Sequence, residues 1–160
     1  MKYYYGAVKV RALSANDGPI CDAIMRTLPD WFAYEPGLEE CAEAVRTQQG
    51  YVAEEEGEVV GFATWASRTD DAAEITWAAV RRDRRNGGIG TAIIEAVAAD
   101  LKERGYRLAL AMTSARSKEP DPTWDSYAET RAFWRARHFY PLIELDIMET
   151  DIALLQVRTL

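Results

Sequence analysis

The chain has 160 residues, 48% of them apolar, with a net charge of −7. That length fits one domain, residues 1–160, with a sizeable core, and the acidic balance argues against a nucleic-acid-binding surface. Cys21 and Cys41 are too few for a disulfide scaffold or a metal site and read as thiols of a reducing compartment.

Ala7 to Leu13 alternates apolar and polar residues and predicts a strand. Asn16-Asp17-Gly18-Pro19 reads as a turn or cap before a helix over Ile20 to Leu28, which stops at Pro29. Asp30 to Gly37 is an aromatic loop, and Leu38 to Gln48 is a second helix closed by Gly50. Tyr51 to Ala53 and Val59 to Trp65 flank an acidic turn with Gly57, which predicts a hairpin. Ala73 to Val80 is a strand, followed by Arg81-Arg82-Asp83-Arg84-Arg85-Asn86-Gly87-Gly88-Ile89-Gly90. Thr91 to Arg104 is a helix with Ile93, Ile94, Val97, Ala98 and Leu101 on one face, and Gly105 ends it. A strand over Leu108 to Thr113, a polar loop to Thr123, a helix over Ser126 to Arg137 and strands over Phe139 to Met148 and Ala153 to Val157 complete the chain. The order β-α-α-β-β-β-α-β-α-β-β predicts an α/β fold, a mixed sheet with helices on both faces. Met1 to Tyr5 lacks the apolar run of a signal peptide, and no stretch approaches the roughly 20 apolar residues of a membrane span, so a cytoplasmic protein with no membrane partner is expected.

The Arg-Gly turn leads into a helix, where unpaired N–H groups and partial positive charge favour an anion. A P-loop needs Lys-Ser or Lys-Thr after its last glycine, and here Gly90 precedes Thr91 and Ala92. A dinucleotide fingerprint needs a third small position and an acid on the next strand. Ile93 and the acid-free run Leu108 to Met112 supply neither.

The motif Arg85-Asn86-Gly87-Gly88-Ile89-Gly90 resembles the acyl-CoA loop of the GNAT N-acetyltransferases. Val80 sits where that family ends a strand before the loop, and Phe133-Trp134-Arg135-Ala136-Arg137-His138-Phe139 is similar to its helix ending in an aromatic pair. The likeness runs from about Val8 to Leu160. It implies a mostly antiparallel GNAT-like sheet, acetyl-CoA as co-substrate, no metal, and a small-molecule or peptide amine as acceptor. A homodimer through late strands is also implied. The backbone from Asn86 through Gly87, Gly88, Ile89 and Gly90 to Thr91 can hold the pyrophosphate. Arg85 would structure the loop or meet phosphate. The resemblance also implies that the pantetheine arm pairs with Trp77, Ala78, Ala79 and Val80, as a cofactor adding a strand.

Transfer to an amine needs a base, a polarised thioester and a stabilised thiolate, but no covalent enzyme intermediate. Glu74 lies six residues before Val80, an offset at which some GNAT enzymes carry their base. Simple alternation puts Glu74, Thr76 and Ala78 on one face of the strand and Ile75, Trp77 and Ala79 on the other. The family's usual Tyr is replaced by Trp134, whose indole cannot deliver a proton, so Trp134 is expected to shape the thioester pocket or to pack. Tyr127, seven residues earlier, is the candidate for a general acid or a pantetheine contact. The missing Tyr leaves a second class of function open, a CoA-binding sensor or interaction module without transfer. His138 is expected to cap its helix. Trp31, Phe32 and Tyr34 beside Glu35, Glu39 and Glu40 form either an aromatic, acidic rim for an amine or a hydrophobic lid.

Overall fold

A computed structural model describes residues 3–5 and 7–160. In chain order the elements are β1 (Tyr3–Tyr5), β2 (Val8–Ala12), α1 (Gly18–Arg26), α2 (Glu35–Thr47), β3 (Gln49–Glu55) and β4 (Glu58–Ser67). They continue with β5 (Ala72–Val80), α3 (Ile89–Glu103), β6 (Leu108–Ser117), α4 (Ala128–Ala136), β7 (Tyr140–Leu145) and β8 (Asp151–Thr159). Among the described residues they form one eight-stranded sheet in the order β1-β2-β3-β4-β5-β6-β8-β7. Only β5 and β6 pair in parallel, with α3 as the crossover.

The predicted order holds, with the short strand β1 added in front. Helix boundaries move for local reasons. Pro19 and Pro36 sit in the first turns of α1 and α2, where a missing N–H costs nothing, so both helices begin earlier than the apolar spacing implies. Gly50, read as the end of α2, lies inside β3.

Two apolar clusters cover the two faces of the sheet. On β3, Tyr51 and Ala53 join the cluster built with Ile93, Ile94, Val97 and Leu101 of α3, while Val52 joins Ile24 and Met25 of α1 and Leu38 and Val45 of α2. This is the period-two alternation of a strand buried on both faces. Cys21 and Cys41 lie in the second cluster as free, buried thiols, and burial pushes both up to about 12.

Strand β5 breaks the expected alternation. Trp65 pairs with Ile75 and Thr64 with Trp77, so Thr76 is an extra residue on β5. This β-bulge reverses the faces beyond it. Ile75 packs toward α3, whereas Trp77 and Ala79 pack toward α1 and α2, correcting the predicted shared face of the three. Thr76 is tied in place by its hydroxyl, which donates to Oε1 of Gln48 at 2.5 Å and lies 2.8 Å from the Thr64 hydroxyl. The β5–β6 pairing also stops at Ile75 and Ala111, although β5 runs on to Val80 and β6 to Ser117. The two strands therefore diverge just beyond the bulge.

Candidate active site

The divergence of β5 from β6 opens beside the start of α3. A cavity of about 530 Å³ lies there, walled by the end of β5, the Arg-Gly turn, the first turn of α3 and one side of α4. Of the residues that the family resemblance assigns to a donor site, Ala78, Ala79, Val80, Arg85, Asn86, Gly88, Gly90, Thr91 and Trp134 line this cavity. Three other residues assigned to that site are not in its walls. The Trp77 side chain packs toward α1 and α2, its ring 6.2 Å from that of Phe32. Ile89 is buried in the core, and Gly87 is exposed on the turn.

The turn has the backbone of an anion cradle. Asn86 and Gly88 have φ of 65° and 83°, left-handed values that a glycine adopts without strain. Gly88 caps α3, and the first bond of the helical ladder runs from the Ala92 N–H to the Gly88 carbonyl at 3.0 Å. The N–H groups of Ile89, Gly90 and Thr91 precede that ladder and sit at the positive end of the helix dipole. Gly90 has a different role: a Cβ there would meet Phe133 Cε2 at 2.9 Å, so the glycine seats the Phe133 ring on α3.

The four arginines of the turn divide by contact. Arg81 pairs within the turn with Asp83 at 2.6 Å, while Arg82 with Asp30 at 2.7 Å and Arg84 with Glu55 at 3.0 Å fasten the turn to its surroundings. The Arg85 guanidinium lies 4.3 Å from the centre of the Trp31 ring and 3.7 Å from Glu129. Trp31 in turn donates its indole N–H to the Ser126 carbonyl at 2.8 Å. The aromatic loop between α1 and α2 is thus joined to both the Arg-Gly turn and the segment before α4.

The two proposed proton-transfer residues stand outside the cavity walls. Glu74 is half-buried on β5 and pairs with Arg68 at 2.6 Å. Tyr127 is the N-cap of α4, and burial raises its phenol above the ordinary value, so it is protonated at neutral pH. Trp134 is largely buried, edge-on to Phe133 at 5.4 Å and to Phe139 at 4.9 Å. His138, with φ of 64°, is the residue after Arg137, the C-cap of α4.

One wall residue was not anticipated. Arg137 stacks 3.9 Å above the Phe133 ring and donates from Nε to the Thr91 hydroxyl at 3.0 Å. Nothing in the linear pattern joins residues 46 positions apart; the contact exists because α4 lies across the start of α3. Among the described residues there is no group of three or more His, Cys, Asp and Glu placed to hold a metal ion, and no helix is long and apolar enough to cross a membrane.

A sequence model of the acetyltransferase (GNAT) family matches residues 19–119. The chain belongs to the GNAT family. The matched span runs from α1 through β6 and contains the Arg-Gly turn. This GNAT protein is also similar in fold to solved structures over nearly its whole length. A GNAT-family protein from Desulfovibrio desulfuricans superposes with a TM-score of 0.81 at 21% identity, covering 96% of this chain and 99% of that one. A GNAT acetyltransferase from Elizabethkingia anophelis with acetyl-CoA bound gives 0.74 at 16% identity, covering 98% and 100%. The ribosomal-protein-S18-alanine N-acetyltransferase of Escherichia coli gives 0.72 at 17% identity, covering 95% and 93%. Comparison with curated proteins returns no match.

Proposed function

We propose that this GNAT protein moves an acetyl group from acetyl-CoA to a primary amine by direct attack in a ternary complex. The observation that carries this is the cavity where the first turn of α3, with its N–H groups ahead of the helical ladder, meets the divergence of β5 from β6. A pyrophosphate suits the turn, and an amide-rich arm suits the β5 edge from Ala78 to Val80, which β6 leaves unpaired. The bound acetyl-CoA of the Elizabethkingia structure supports the choice of donor. In the reaction the amine nitrogen, freed of its proton, attacks the thioester carbonyl. The C–S bond then breaks, and the CoA thiolate leaves and takes up a proton. Glu74 is the proposed base; it must give up its pairing with Arg68 to act, directly or through water. Tyr127 is the proposed proton donor or pantetheine contact. The acceptor side is the aromatic loop of Trp31, Phe32 and Tyr34, where Tyr34 is 68% exposed. We assign the chain to the cytoplasm as one domain that pairs as a homodimer.

The test uses the full chain with acetyl-CoA and a panel of polyamine, aminoglycoside, amino acid, free peptide N-terminus and lysine peptide, following release of CoA thiol. Transfer to one amine class is expected. Tight CoA binding with no transfer to any amine would instead make the protein a CoA-binding module. Glu74→Gln should slow transfer roughly 10²–10⁴-fold near neutral pH and less at high pH, where free amine is abundant. An unchanged pH–rate profile removes Glu74 from the mechanism.

A further inference from the structure

Arg137 is exceptional among the cations of this chain. Among the described residues every other Lys or Arg either pairs with a carboxylate within 4.0 Å or, as with Lys102, Arg107 and Arg135, is exposed. Arg137 is half-buried in the cavity wall and has no such partner. The nearby carboxylate of Glu95 is taken up by Arg158, which holds both of its oxygens at 2.7 and 2.9 Å. Burial pushes the Arg137 guanidinium below its ordinary value, the sign of a cation short of compensation.

Its orientation is fixed by neutral groups. Nη1 donates to the Phe133 carbonyl at 2.7 Å, while Nε and Nη2 both donate to the Thr91 hydroxyl oxygen. A guanidinium has five N–H donors, so one on each Nη is left over. The Thr91 hydroxyl, accepting from Arg137, keeps its own proton to donate. Two guanidinium donors and one hydroxyl donor are therefore left without a protein acceptor on two residues that line the cavity, beside the backbone N–H groups of the α3 first turn.

We infer that Arg137 is an anion ligand of this cavity, receiving with Thr91 a phosphate group of the donor's nucleotide end. This rests on the reading of the cavity as the CoA site. A forked guanidinium suits phosphate oxygens better than a point charge would, and a low-dielectric wall strengthens the contact. A cation left without a carboxylate in the free protein has no internal ion pair to break when the phosphate arrives. Arg137 and Thr91 are thereby positioning residues for the donor; neither touches the reacting carbonyl.

The test compares the full-length protein with Arg137→Met and Arg137→Lys, measuring affinity for CoA and for S-acetylpantetheine, which has the acyl arm but no phosphate. Arg137→Met is expected to lose roughly 10- to 100-fold in CoA affinity, to leave S-acetylpantetheine unchanged, and to bind CoA with a weaker dependence on salt. Arg137→Lys, which keeps the charge without the fork, should recover part of the loss and serves alone if the Met variant does not fold. Unchanged CoA affinity in both variants overturns the inference. So does an equal loss for both ligands, which would make Arg137 only a strut between α4 and α3. If the unaltered protein binds no CoA, the donor-site reading itself falls.

Discussion

Gly90 has no room for a side chain, because a Cβ would stand 2.9 Å from Cε2 and 3.1 Å from Cζ of Phe133. Gly88 is constrained differently, by a φ of 83° with open space around it. The sequence shows both as glycines of one motif and cannot separate these causes, since Phe133 lies 43 positions from Gly90. Gly90→Ala should therefore cost about 1–3 kcal/mol through overpacking, and the cost should shrink in a Phe133→Leu background, where the ring is gone. Gly88→Ala should cost about 1–2 kcal/mol in either background, because the strain is in its own backbone. Urea midpoints of the single and double variants check both. Equal costs for Gly90→Ala with and without the Phe133 ring would contradict the contact.

At the scale of elements, the bulge in β5 decides which face of the sheet each side chain at the end of that strand takes. Ala73-Glu74-Ile75-Thr76-Trp77-Ala78-Ala79-Val80 reads as an unbroken strand, because an extra residue is visible only against the partner strand's register. The strand itself, its place before the Arg-Gly turn and the helix after it are legible, being set by local composition and spacing. The faces beyond Thr76 are not: simple alternation keeps Trp77 and Ala79 with Ile75, and the structure separates them. The chain Thr64–Thr76–Gln48 holds the bulge, with Thr64 fully buried. Thr76→Val keeps the shape but strands the Thr64 hydroxyl and the Gln48 carbonyl oxygen, which should cost about 1–3 kcal/mol. Replacing Thr64 as well removes one stranded partner, so the double variant should cost less than the sum. Chemical denaturation of the three proteins measures the coupling, and strict additivity would show that the hydroxyls do not act as a unit.

Over the whole molecule, the order of elements and the two-sided core follow from hydrophobic periodicity, and so they are read from the sequence almost unchanged. Charge pairing across the sheet is not read from it, because it depends on which strands become neighbours. Arg11 on β2 forks onto the buried Asp17 at 2.8 and 2.9 Å and reaches Glu54 on β3 at 2.6 Å. Arg158 on β8 grips Glu95 on α3. The Arg11 hydrogen bond holds Asp17 below the usual carboxylate range, Lys9 and then Arg11 do the same for Glu54, and Arg158 does so for Glu95. Folded carboxylates with depressed pKa values bind fewer protons than the unfolded chain does. Their contribution is present above the unfolded values, near pH 4, and is lost as the pH falls through the folded ones. Stability should accordingly decline below about pH 5. Arg11→Met tests the assignment. Without its cation, Asp17 keeps its burial, which favours the protonated form, so the variant gains relative to the unaltered protein on acidification. The stability gap between the two, taken from urea midpoints, should be widest near neutral pH and narrow toward about pH 3. A gap that does not change with pH would mean that Arg11 contributes through the packing of its stem alone.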